Sequence, residues 1–331
     1  MKTSYEKKLF LAGESGGTKA LWYLLNEKGV IREAFQSPGI ASVREKILPV
    51  KQTVKNAVDA LLDKKGLKPE IIKICYMSLG GPNTGEIRQA LSSLLPGAEI
   101  IVDREANGNL LMKCAEIFHF DVAVLVGTGT VAVGEMNGQR YFAGGWGPDL
   151  DDLGSGYWLG LNAIRAVLLS LEGRGGPTSL VEDFKVFLNG TDINDFSSRM
   201  ELKKRLCSLG RHDVAAFAEA VCRRQSTDPI ANKLICQAAE DIARMVFSII
   251  SKWPRPDRDV VVLGLGGIFL SGGNFSALCH EKLTALCNYA QFRTDPVFTL
   301  GLGACIMALK AAAISDLDKA IPVLCDFFRS K

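Results

Sequence analysis

The chain has 331 residues, 47% of them hydrophobic and 8% aromatic, with 33 glycines and a formal net charge of +3. At ~150 residues per domain this length suits about two domains, and the glycine content suits a strand-and-turn-rich α/β chain better than a helical bundle. Near-equal basic and acidic counts leave no electrostatic footprint for nucleic acid, the opening apolar stretch is too short for a signal peptide, and no run of about 18 apolar residues exists to span a bilayer. A soluble, cytoplasmic protein with small-molecule partners is expected. The nine cysteines include no CxxC pair, and His119, His212 and His280 lie far apart without ligand spacing. Reduced, buried thiols are therefore expected rather than disulfides or zinc.

The first predicted elements lie in "LFLAGESGGTKALWYLL" (Leu9 to Leu25), an apolar run, a glycine-rich turn and a second apolar run. Glycine lets backbone N–H groups approach an anion closely. A P-loop is excluded because Thr18 separates Gly17 from Lys19, and G-x-G-x-x-G fails at Gly13, Gly127, Gly264 and Gly301. The turn reads as an ordinary hairpin loop or as a phosphate cradle. A polar turn, "NEKG", and a third strand follow. Next, "VREKILPVKQTVKNAVDALLDKKG" places Ile47, Val50, Val54, Val58 and Leu61 at helical steps. "IIKICYMSLGG" reads as a strand ending in glycines, "IRQALSSLLP" as a helix, and "EIIVD" as a short strand that delivers Asp103 at its carboxyl end. Ligands of α/β sheets bind beyond such ends. Asp103 reads equally as a general base or as the N-cap of a helix in "REANGNLLMKCAEIF".

"DVAVLVGTGTVAVGEMNGQRYFAGG" (Asp121 to Gly145) then repeats the order of strand, Gly/Thr turn, strand, polar turn and strand. Two turns of matching build, one per domain, suggest a phosphate chain clamped between domains. In "DRDVVVLGLGGIFLSGGNF" (Asp257 to Phe275) a buried strand meets Gly264, Gly266 and Gly267, a turn suited to a flat ring lying close to backbone. "PVFTLGLGACIMALKAAA" closes the series as a Gly/Ala-rich helix able to pack tightly.

The order of two Gly/Thr turns, "SLGGPNTG", the strand ending in Asp103, "GGIFLSGG" and the terminal Gly/Ala helix resembles the sugar kinase, Hsp70 and actin superfamily of ATPases. Within it, "GGWGPDLDDLGSGYWLG" (Gly144 to Gly160) is similar to the GGWG…GDEGSxYWIG segment of the N-acetylglucosamine kinase-like group of BadF/BadG/BcrA/BcrD ATPases. "AAFAEAV…DPIANKLICQAAEDIARMV" resembles the same group's helical region, and the similarity covers nearly the whole chain.

The resemblance implies an α/β, two-domain actin-like ATPase (ribonuclease H-like) fold with an interdomain cleft. Residues 1–117 would form the first domain and 118–331 the second, with the last helix returning to the first. It implies ATP and Mg²⁺ as cofactors, a sugar substrate and pairing into a homodimer. The implied reaction is phosphorylation of an amino sugar or hexose, with the 6-hydroxyl of N-acetylglucosamine leading, by in-line transfer and an Asp103 base. Glu14 would hold Mg²⁺ through water. Gly16, Gly17, Thr18 and Lys19 would wrap one side of the phosphates, and Thr128, Gly129 and Thr130 the other. Gly266 and Gly267 would meet adenosine, while Gly145, Trp146 and Asp152 would line the sugar site. Leu153 stands where the group usually has an acid, and Ala41 or Ser42 where it often has asparagine, so the sugar is left open. Two other readings remain, a reductase-activating ATPase, which would need a cysteine pair for an iron–sulfur cluster, and a sugar sensor without turnover.

Overall fold

The computed structural model describes residues 8–16, 18–40, 47–64, 66–81, 84–103, 108–190, 196–271 and 273–330. The chain divides into two compact units, Met1–Phe118 with Pro296–Lys331, and His119–Asp295.

The first unit holds β1 (Leu9–Ser15), β2 (Lys19–Asn26), β3 (Ile31–Pro38), α1 (Ile47–Asp63), β4 (Ile72–Leu79), α2 (Thr84–Leu94), β5 (Glu99–Asp103) and α3 (Gly108–Phe118). The sheet runs β3-β2-β1-β4-β5. β1, β2 and β3 form an antiparallel meander, and β4 and β5 lie parallel to β1. Central β1 is buried at every position, as its near-continuous apolar run demands, whereas edge strand β3 alternates half-buried and exposed residues. One sheet face, through Leu9, Leu11, Trp22 and Met77, shares a core with Val50, Val54, Val58 and Leu61 of α1. Those four are the helical-period apolar positions of the sequence whose side chains are described.

Two helices from the end of the chain complete this unit, and are labelled α12 (Leu300–Ala311) and α13 (Leu317–Arg329) by chain order. α12 packs on β1, β4 and α3, and α13 packs on α12. Gly301 lies against the Tyr23 ring and Gly303 against Cys114, so small residues let the helix approach the sheet closely.

The second unit opens with β6 (Val122–Val126), β7 (Thr130–Met136) and β8 (Gln139–Gly144). Helices α4 (Gly156–Leu171), α5 (Leu180–Phe187), α6 (Phe196–Ser208), α7 (Arg211–Ala216), α8 (Ala218–Arg224) and α9 (Pro229–Ile250) follow. β9 (Val260–Leu265), α10 (Gly267–Leu270), α11 (Phe275–Leu286) and β10 (Ala290–Thr294) complete it. Its sheet order, β10-β9-β6-β7-β8, is that of the first unit read from the other edge. The meander repeated in sequence is thus repeated in structure, with β9 parallel to β6 and β10 parallel to β9. Asp228 caps α9, accepting from Ile230 N and Ala231 N at 2.9 Å each, with Pro229 in the first helical position.

All nine cysteines are free thiols. Six are buried, but Cys207 is exposed and Cys236 and Cys325 are half-buried, so the expectation of burial fails at these three helix-surface positions.

Candidate functional site

The sequence-derived candidates fall into two groups, one in each unit. In the first unit, strand register makes a row. Glu14 of β1 pairs with Ser78 of β4, and Ser78 with Asp103 of β5. Neighbours in register on parallel strands project to the same face, so the two carboxylates share one side of the sheet at its carboxyl ends.

Asp103 is 7% exposed. Its Oδ2 accepts from the Tyr76 hydroxyl and, at 2.9 Å, from Lys113 Nζ on α3. Tyr76 sits two residues before Ser78 on the same face, and Lys113 lies 5.8 Å from the centre of its ring. Burial pushes the tyrosine hydroxyl's pKa far above its ordinary value, and the hydrogen bond to Asp103 adds to the rise. Asp103 ends β5 as a carboxylate held by side chains, and its N-cap alternative concerns residues 104–107, which lie outside the described residues.

Glu14 is 8% exposed, and burial pushes its carboxyl up to about 7 against the lowering effect of Lys19. A buried carboxylate of this kind gains by meeting a cation. No cluster of three or more acidic, histidine or cysteine side chains able to hold a metal occurs among the described residues. The donor set therefore suits a hard ion that keeps most of its water, as Mg²⁺ does when it takes one carboxylate and phosphate oxygens.

Between β1 and β2 the turn is internally fixed. Ile40 N donates to Ser15 Oγ at 3.0 Å, Gly39 N to Thr18 O at 2.9 Å, and Gly16 N to Lys19 O at 3.1 Å. Gly16, Thr18 and Lys19 thus belong to one anchored loop beside Glu14. Gly17 lies outside the described residues, as do Ala41 and Ser42.

In the second unit the turn from Gly127 to Thr130 is clamped from below by α4. Gly156 N donates to Gly127 O at 2.8 Å, and Tyr157 N to Thr128 O at 3.2 Å. Asp152, 2% exposed and at a positive φ of 57°, accepts from Thr130 N at 3.0 Å and from Arg211. Burial raises its carboxyl pKa, opposed by the Thr130 N–H and Arg211. Gly129 has no room for a side chain, since a Cβ there would lie 2.6 Å from Arg211 Nη2 and 2.8 Å from Asp152 Oδ1. Gly266 abuts the same turn. At φ 113° its Cβ would stand 2.1 Å from Val126 O, so only glycine fits. Gly145 borders Val131 at the start of β7.

The structure therefore joins Thr128–Thr130, Gly145, Asp152 and Gly266 around one loop. Gly267 faces open space, and Trp146 is 76% exposed. Tyr76, Lys113 and Arg211 escaped the sequence reading. Strand alternation put Tyr76 on the Asp103 face and offered a signal, but the Asp152–Arg211 pair, 59 residues apart, had none.

The duplicated five-stranded sheet, with a glycine-rich turn between the first two strands of each copy, gives the chain the two-unit α/β fold of the actin-like class. The chain belongs to the BadF/BadG/BcrA/BcrD ATPase family, whose model matches residues 14–291. It is 27% identical over 250 residues to N-acetylmuramic acid/N-acetylglucosamine kinase of Clostridium acetobutylicum, spanning 72% of this chain and 78% of that one. It is 31% identical over 139 residues to N-acetyl-D-glucosamine kinase of Dictyostelium discoideum, spanning 40% and 41%. Among solved structures, a candidate N-acetylglucosamine kinase from Chromobacterium violaceum superposes with a TM-score of 0.70 at 20% identity, covering 92% of this chain and 99% of that one. A ROK family glucokinase from Streptomyces griseus, in complex with glucose and AMPPNP, gives 0.59 at 13% identity, covering 91% and 99%.

Proposed function

We propose that the protein is an ATP-dependent kinase of an amino sugar or hexose, with the 6-hydroxyl of N-acetylglucosamine the first choice of acceptor. The observation that carries this reading is the Glu14–Ser78–Asp103 row at the carboxyl ends of three parallel strands, with Asp103 held by Tyr76 and Lys113. The kinase names of the two curated relatives support the substrate class.

In this reading Asp103 accepts the proton of the attacking hydroxyl. Tyr76 and Lys113 fix its orientation. The Gly16–Lys19 and Thr128–Thr130 turns would supply backbone N–H groups and positive charge to phosphate oxygens, and Glu14 would hold Mg²⁺. The metal would supply neutralisation of phosphate charge. Gly266 and Gly267 bring backbone to the adenosine. Gly145, Trp146 and Asp152 face the sugar. A carboxylate offers about four lone-pair sites, so Asp152 keeps capacity for a sugar hydroxyl beside its two bonds.

A role as an iron–sulfur reductase activator finds no support at Cys114. That thiol is buried in α3 beneath Gly303 of α12, and burial pushes its pKa up to about 12.

The test is ADP release with Mg-ATP against N-acetylglucosamine, N-acetylmuramic acid, glucosamine, N-acetylmannosamine and glucose. Sugar-dependent turnover, strongest on an N-acetylated sugar, is expected. ATP binding without turnover on any of the five would overturn the kinase reading.

A further inference from the structure

We infer that Arg211 is a phosphate ligand of the second turn, aimed there by Asp152 and Tyr157. The inference rests on the reading above that the Thr128–Thr130 turn cradles phosphate.

Three observations converge on this arginine. Its guanidinium touches the turn itself, because the space that a Gly129 side chain would need is occupied by Arg211 Nη2. It is oriented on two sides, by an ion pair with Asp152 and by the Tyr157 ring, whose centre lies 6.0 Å from the guanidinium carbon. Both orienting residues also hold the turn, Asp152 through Thr130 N and Tyr157 through Thr128 O. The loop and the cation are therefore fixed by the same two residues, Asp152 through its carboxylate and Tyr157 through its backbone N–H and its ring.

In this ion pair Asp152 is 3% exposed and Arg211 40%. The carboxylate is enclosed and the cation faces outward. A guanidinium has five N–H donors in a planar fork, and Asp152 engages Nη2, so the remaining edge can serve a phosphate oxygen. Thr130 Oγ1, one of three buried side-chain polar atoms without a partner among the described residues, lies in the same turn. An unsatisfied hydroxyl there fits a loop whose hydrogen bonding is completed by a ligand.

The experiment compares wild type, Arg211→Met and Arg211→Lys by calorimetric binding of ATP, ADP and adenosine, with thermal unfolding measured alongside. Loss of a charge-assisted hydrogen bond in the Met variant should weaken ATP and ADP by about tenfold or more. Adenosine affinity should stay within about twofold, and the Lys variant should fall between, since a point charge replaces a fork. Equal weakening of ATP and adenosine would overturn the inference, as a structural brace would act on both. Unchanged ATP affinity would overturn it too. If the Met variant fails to fold, the Lys variant decides, because wild-type ATP affinity there contradicts a forked contact. The kinase reading is separable. Phosphate-selective loss in a chain that turns over no sugar supports Arg211 and removes the kinase, whereas intact sugar turnover with unchanged ATP affinity removes Arg211 alone.

Discussion

Asp103 derives its geometry from neighbours on two elements, β4 and α3. Tyr76→Phe deletes the hydroxyl that donates to Oδ2 and leaves the ring, and Lys113→Met deletes the cation while keeping much of the aliphatic stem. Under the proposed function both are positioning residues. Steady-state kinetics should show kcat lowered by roughly tenfold in each, equivalent to about 1.4 kcal/mol, with KM for ATP unchanged. A rise in KM for ATP with unaltered kcat would contradict the assignment. The place of Asp103 was legible in sequence because a strand ending in an acid leads to the carboxyl edge of the sheet. Its partners were less so. Period-2 alternation sets Tyr76 two steps from Ser78, but Lys113 reaches Asp103 only through the packing of α3, which no local pattern encodes.

At the scale of elements, Asp228 links three segments of the second unit. One oxygen caps α9, and the other accepts from Thr178 Oγ1, Ser179 N and Ser179 Oγ at 2.6–2.8 Å. Burial raises its pKa, but hydrogen bonds led by Ala231 N, Thr178 and Ser179 bring it down to about 2. A folded pKa below the unfolded ~3.9 means that this stabilisation is present above about pH 4 and is lost as pH falls towards about 2. Asp228→Ala should cost about 1–2 kcal/mol for the cap and about as much again for the stranded donors, lowering Tm by several degrees at neutral pH. The gap between variant and wild type should narrow in acid unfolding below pH 4. An unchanged gap at pH 2 would refute the linkage. The meanders, α1 and the Gly/Ala helix α12 were legible as elements because their apolar periods match strand or helix geometry. The placement of Asp152 beneath the second turn was not, since its resemblance-derived role concerned sugar and its two hydrogen bonds arise only once α4 and α7 pack.

Across the whole molecule, the fold is the same five-stranded topology twice, and the chain's last helices belong with its first strands. The duplicated turn was visible as a repeat. The return of the last helix to the first strands came from the family resemblance, while the small residues of α12 indicated only tight packing, because tertiary contacts between chain ends leave no local signature. Ala304 of α12 is wholly buried. Ala304→Asp would place a carboxylate in that core and should destabilise the first unit by several kcal/mol. Hydrogen exchange should accelerate in β1, β4 and α12 while β6, β7 and α9 keep their protection. Uniform loss of protection in both sheets would contradict the division into two units.

The central claim is that Asp103 takes the proton of the acceptor hydroxyl. Its most direct test is sugar-dependent ADP release by Asp103→Asn beside wild type, with ATP binding followed on the same samples. The account predicts a fall in kcat of ~10²–10⁴ with ATP affinity within about threefold of wild type. Turnover by the Asn variant within a few-fold of wild type would contradict it.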